Sequence, residues 1–161
     1  MNVRRSIAAA AVLLAAPALS SCGVSFGAQT DQVYNPAVGV DDRSGQVDVL
    51  NALIVSGTNG SGTVVASLVN NDQQTDDTLK SVTGAGQDSG LTVKPGGDTT
   101  IPAGGLLNLA TKGSITARGQ RVVPGNFVTI TFTFDRAQAI TVDVPVVSAS
   151  NPDYAGIKVP S

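Results

Sequence analysis

The chain has 161 residues, ten Lys+Arg, twelve acidic residues that are all aspartate, and no histidine. Its pI is near 4.8, and it has no basic run to supply the Lys/Arg face that nucleic-acid binding requires. With no histidine, a Ser-His-Asp or Cys-His catalytic arrangement cannot be assembled. The chain has a single cysteine and a single methionine, the initiator, so the ligands that suit zinc and copper are nearly absent as well.

Arg4 and Arg5 precede an apolar run from Ile7 to Ala16. The run is too short for the ~20 residues that a bilayer span needs, and its layout is that of a secretory signal. Leu19-Ser20-Ser21-Cys22 then resembles the lipobox of bacterial lipoproteins. That resemblance implies cleavage after residue 21 and a diacylglycerol on the Cys22 thiol, placing the protein on the extracytoplasmic face of the cell membrane. Several acyl chains give stable anchoring where one would be marginal. Without Arg4 and Arg5, eight cations face twelve aspartates, a net charge of −4. By net charge, such a body is not drawn to an anionic leaflet, and the lipid does the holding.

Residues 22–36 are polar and unpatterned and read as a tether, with an end-to-end distance of roughly 25 Å if flexible. Residues 37–149 carry β-type runs and form the domain, and residues 150–161 are a C-terminal tail. The first run, Gln46 to Gly57, changes phase between Val49 and Leu50, which predicts a bulge there. A turn at Asn59-Gly60 leads to the strand Thr63–Asn70. After the polar loop Asn71–Asp77 come "TLKSVTG", "LTVKP", "LLNLAT" and "SITARG", each bounded by Gly or Pro.

The clearest strand is "FVTITFTF" from Phe127 to Phe134. Val128, Ile130, Phe132 and Phe134 share one face and three threonines the other, a period of two. Asp135–Gln138 is a connection of hairpin length. The return strand keeps Ile140, Val142, Val144 and Val146 in phase, and Pro145, lacking an N–H, is expected at an edge or irregularity. Seven to eight short strands without a following amphipathic helix predict an all-β antiparallel sandwich, cupredoxin-like or immunoglobulin-like.

Few residues offer chemistry. Asp72, Asp76 and Asp77 share one loop and Asp41-Asp42 another, but neither follows the spacing of a calcium loop. The glycine-rich stretches Gly57–Gly62 and Gly84–Gly90 precede no helix that could meet a phosphate, and read as hairpin turns.

The second half of the chain resembles the periplasmic copper chaperone family PCu(A)C. The stretches that carry it are "DDTLKSVTG" (Asp76–Gly84), "IPAGGLLNL" (Ile101–Leu109) and "VPGNFVTITFTFDRAQAITVDVPVV" (Val123–Val147). The likeness is closer still to LpqE-type actinobacterial lipoproteins, which also carry a lipobox. The resemblance implies a small cupredoxin-like sandwich. It also implies a His-x-Met copper pair after the I-P-A-G-G segment, where this chain has Ser114 and Thr116, so the ligands are absent.

The expectation is a membrane-anchored, non-catalytic module without a cofactor or metal. It would bind an envelope protein or glycan, not nucleic acid. Asn70–Asp77 and Ser114–Arg121 are the candidate surfaces, being at loop ends where binding sites concentrate. The alternatives are copper or metal homeostasis through noncanonical oxygen ligands or a partner, and an enzyme using Asp or Lys.

Overall fold

The structure is a computed structural model and describes residues 38–160 except 59, 95, 113 and 114. Cys22, the signal segment and the tether therefore lie outside the described residues. All that follows belongs to one compact unit, Pro36–Ser161.

The first half of the unit supplies β1 (Val40–Asp42), β2 (Val47–Thr58), β3 (Ser61–Asn70) and β4 (Asp77–Gly84). Four short strands follow, β5 (Thr92–Lys94), β6 (Thr100–Ile101), β7 (Leu106–Asn108) and β8 (Ile115–Arg118). The long pair β9 (Phe127–Phe134) and β10 (Ile140–Ser148) completes the set. The strand order is β5-β8-β3-β2-β10-β9-β4-β6, with β1 added to β2 and β7 to β3. This path curls on itself into a β-sandwich. Among the described residues ten strands stand where the periodicity predicted seven to eight, because β1, β5, β6 and β7 are only two or three residues long. The pairing is antiparallel except between β2 and β10.

The core lies between the layers. Val128, Ile130, Phe132 and Phe134 of β9 are buried, as are Ile140, Val142, Val144 and Val146 of β10, so the period-two reading of this hairpin is the observed one. Each such side chain contributes roughly 1.5–3 kcal/mol of burial. On the solvent face, Thr131 and Thr141 lie opposite each other with their hydroxyls 2.8 Å apart.

β10 is the strand that joins the layers. Ile140–Pro145 pairs with β9, and Val146–Ser148 pairs with β2. The Val146 N–H donates to Asn126 O at 2.8 Å, so the nitrogen of Pro145 points the other way. Pairing with β2 begins only at Val146. Proline is tolerated there because no partner awaits its missing N–H.

The β2 bulge falls one or two residues later than the phase change suggested. Leu50 pairs with Ser67 and Leu53 with Val65, leaving one extra residue on β2 across this gap. Asn51 takes φ +50°, a region Asn visits more readily than most, and its Oδ1 accepts the Gly39 amide at 3.0 Å. At the far end of β2, Thr58 pairs with Ser61 across a tight hairpin in which Gly60 has φ +85°. The other glycine-rich stretch is not a hairpin turn. After Gly84 a single 3-10 turn at Gly86–Asp88 leads to β5, which pairs with β8 in the opposite layer. The chain crosses the sandwich here because nothing pairs β5 back onto β4.

Candidate functional site

The loop Asn70–Asp77 is held by its own side chains. Asn70, 1 % exposed, accepts the Asp72 amide at 3.0 Å and donates to Thr75 O at 2.8 Å. Asp72 Oδ1 accepts the amides of Gln74 at 2.9 Å and Thr75 at 3.2 Å. Asp76 Oδ1 accepts the Ala103 amide at 2.8 Å, which ties the loop to the segment after β6. Asn and Asp make such turns because their short side chains reach backbone two residues on.

Asp77 closes the loop against the β9–β10 hairpin. Its carboxylate accepts the amides of Thr78 at 2.6 Å, Arg136 at 3.1 Å and Ala137 at 2.9 Å. Burial opposes its ionisation, but these backbone hydrogen bonds prevail and hold the carboxyl below its ordinary range. Hydrogen bonding to the charged form acts in that direction.

Between this loop, the Ser44–Gln46 turn and the hairpin lies a cleft of about 440 Å³. Its walls include Gln46, Asn70, Asp72, Asp77, Arg136 and Gln138. Its lining presents side-chain amides, the carboxylates of Asp72 and Asp77, a guanidinium and hydroxyls. The three loop carboxylates do not converge. Each is turned to backbone amides, and among the described residues no group of three acidic side chains has metal-binding geometry.

The second predicted surface is divided. Ser114 lies outside the described residues, while Thr116 is half-buried on β8, paired with Thr63 and Lys94. Gly119, Gln120 and Arg121 instead wall a second cleft of about 330 Å³ with Asp88 and Leu91. Asp88 is buried and accepts the Thr129 amide at 2.9 Å. Its other oxygen lies 3.0 Å from Arg121 Nε, an ion pair by distance, although the Nε–H has no aligned hydrogen bond. Arg121 Nη2 also donates to Phe127 O at 2.8 Å. The pair thus clamps the Gly86–Asp88 turn to the start of β9.

Sequence reasoning missed Asp88, Arg136 and the Ser44–Gln46 wall. Asp88 sat inside a glycine-rich stretch that reads as a plain turn. The other two meet the Asn70–Asp77 loop only through tertiary folding.

No family model matches the sequence, and no curated protein matches it. Solved structures do. An apo PCuAC domain from PmoF1 aligns with TM-score 0.56 at 18% identity, over 68% of this chain and 99% of that one. The copper-bound PCuAC domain from PmoF2 aligns with TM-score 0.55 at 13% identity, over 68% of this chain and 98% of that one. The apo form of the PmoF2 domain gives 0.54 at 16%, over 69% and 97%. At such identities the likeness establishes the fold alone. This is the cupredoxin-like β-sandwich of PCuAC domains.

Proposed function

We propose that the chain is a lipid-anchored, extracytoplasmic, non-catalytic binding module of the LpqE type, built on a PCuAC-like sandwich without that fold's copper donors. The observation that carries this reading is the donor inventory. The lone methionine is residue 1 and the lone cysteine residue 22, with no histidine anywhere, so the unit from Pro36 onward holds no imidazole, thiolate or thioether. Thr116, at the position resembling a lost ligand, offers a hydroxyl, and hydroxyls do not hold Cu(I), which prefers soft ligands. The residues do not fit the metal. What the unit offers instead is the polar cleft beside Asn70–Asp77, suited to an envelope glycan or protein, while Cys22 supplies the anchor.

The second reading is copper or metal homeostasis through oxygen ligands or a partner. It draws on the copper-bound state of the PmoF2 domain that shares this fold. One experiment addresses both. A Cys22→Ala variant is expected to lose its acyl mass and leave the membrane fraction, and Cu(I) titration of either form is expected to find no stoichiometric submicromolar site. A Cys22→Ala chain that stays membrane-bound at unchanged mass refutes the anchor. A tight copper site abolished by loop Asp substitutions establishes the second reading.

A further inference from the structure

The main core does not account for every buried aliphatic residue. In β2, Ala52 and Ile54 belong to the main cluster, and Leu53 and Val55 alternate with them onto the opposite face of the sheet. Both are nonetheless buried, Val55 completely. Their cross-strand neighbours on that face are Val65 and Thr63 of β3, and Val147 of β10 lies beside Val55. Thr63 is buried too, although alternation with Val64 turns it away from the core.

The segment Ile157–Pro160 lies over this face. The Thr63 hydroxyl donates to Lys158 O at 2.6 Å. Val159 lies against Gly57, two residues beyond Val55, with its Cβ 3.4 Å from the position a Gly57 Cβ would take. Ile157 and Val159 are half-buried while Lys158 between them is exposed, the period of an extended chain with one face down. Yet the segment forms no strand, so a hydroxyl and aliphatic contacts hold it rather than a backbone ladder. Segments with so few buried contacts open locally at low cost.

We propose that this face of β2 and β3 is a docking site for an extended aliphatic peptide segment of a partner protein, and that Ile157–Pro160 is a built-in occupant that keeps it closed. The seated segment shows what the face accepts. It offers two half-buried aliphatic side chains two residues apart and, between them, a carbonyl placed for the Thr63 hydroxyl. A partner chain with that spacing makes the same contacts, whatever residue stands at the outward position. With the segment lifted, the apolar surface of Val55 returns to water, which favours refilling the face. The site lies near the start of β3, whereas the Asn70–Asp77 cleft lies at its end. It adds a protein contact to the binding-module reading and does not depend on acylation of Cys22.

One hydroxyl bond and a partial aliphatic contact hold the segment shut by about tenfold. A short flexible linker gives an effective concentration of about 1 mM. The same sequence added in trans then has a Kd of about 0.1 mM for the open face and about 1 mM for the closed protein.

The test uses residues 22–161 with Cys22→Ala, and as probe the acetylated peptide AGIKVPS, the sequence of residues 155–161. Binding is read by NMR from the amides of Val55, Thr63 and Val65. The protein is expected to bind with a Kd of about 1 mM, and a chain whose own segment carries Ile157→Ser and Val159→Ser about tenfold more tightly. Gly57→Cys with Val159→Cys supplies a lock, since a disulfide needs Cβ atoms about 3.5–4.5 Å apart. Its oxidised form is expected to bind no peptide and its reduced form to bind it. A peptide carrying both serine changes is expected to bind no form, and one carrying Lys158→Gln to bind like the original. Four results each overturn the proposal: no shift of those amides in any unlocked form at ~5 mM peptide, equal binding by the locked and reduced forms, equal binding by the protein and its serine variant, or retained binding of the double-serine peptide. The serine variant and the lock each decide the matter alone if the other does not fold.

Discussion

A carboxylate that is 3 % exposed has lost most of its hydration, and Asp77 replaces it with the backbone amides of Thr78, Arg136 and Ala137. Hydrogen bonds to a charged group contribute about 1.5–3 kcal/mol each at most, and the acceptor's removal orphans the donors. Asp77→Asn keeps the shape but halves the acceptor capacity, so it is expected to lower stability by about 2 kcal/mol at neutral pH. The sign with pH follows from the depressed folded-state pKa. Ionised Asp77 contributes its full stabilisation above the unfolded value near 3.8, and loses it as pH falls through the lower folded value. The stability gap between wild type and Asp77→Asn should therefore be constant from neutral pH to about 5 and shrink below about 4. Asp98 is shifted in the same direction by the Thr100 amide, but it is present in both proteins and cancels in the difference. Urea unfolding across this range measures the gap. A gap that stays flat to pH 2 would mean the carboxylate charge is not what holds the hairpin.

At the scale of elements, the C-terminal segment is a strap, not a loose tail. After β10, the 3-10 turn Pro152–Tyr154 is capped by Asn151, whose Oδ1 accepts the Asp153 amide. The chain then returns along the sheet until Lys158 O meets Thr63. Val159 sits so close to Gly57 that a Cβ there would lie 2.7 Å from its Cγ2. Deleting residues 151–161 removes the Thr63–Lys158 hydrogen bond, that of the Asn151 amide to Ser148 O and one apolar cover, and is expected to cost about 1–2 kcal/mol. Chemical denaturation should show this as a lower midpoint at an almost unchanged slope, whereas no change at all would mean that the strap lies on the sheet without holding it. Nothing in the sequence marks this strap, because contact with a distant strand leaves no local period. β9 and β10 were legible for the opposite reason, since one wet and one dry face impose strict alternation. β2 was harder. Leu53 and Val55 are buried along with Ala52 and Ile54, so the strand reads as a continuous apolar run and the bulge at Asn51 is blurred by a residue or two. Of the candidate site, the Asn70–Asp77 wall was legible as a polar loop of Asn and Asp. The walls from Ser44–Gln46 and Arg136–Gln138 were not, because only the antiparallel register carries them to it.

At the scale of the molecule, the core defines where the folding unit begins. Every member of the main hydrophobic cluster lies between Val47 and Val146, and β1, the first strand, already pairs with β2 at Val40. Folding cooperativity comes from that shared core, so a chain starting at Pro36 should unfold in one transition. The enthalpy expected is about 0.7 kcal/mol per residue, on the order of 90 kcal/mol for the unit. Its Tm should match that of a chain starting at residue 22 and carrying Cys22→Ala to within a few degrees. Calorimetry on the two forms makes the comparison. A drop of more than about 10 °C in the shorter form, several kcal/mol for a domain of this size, would show that residues before Pro36 contribute to the stability of the folded unit.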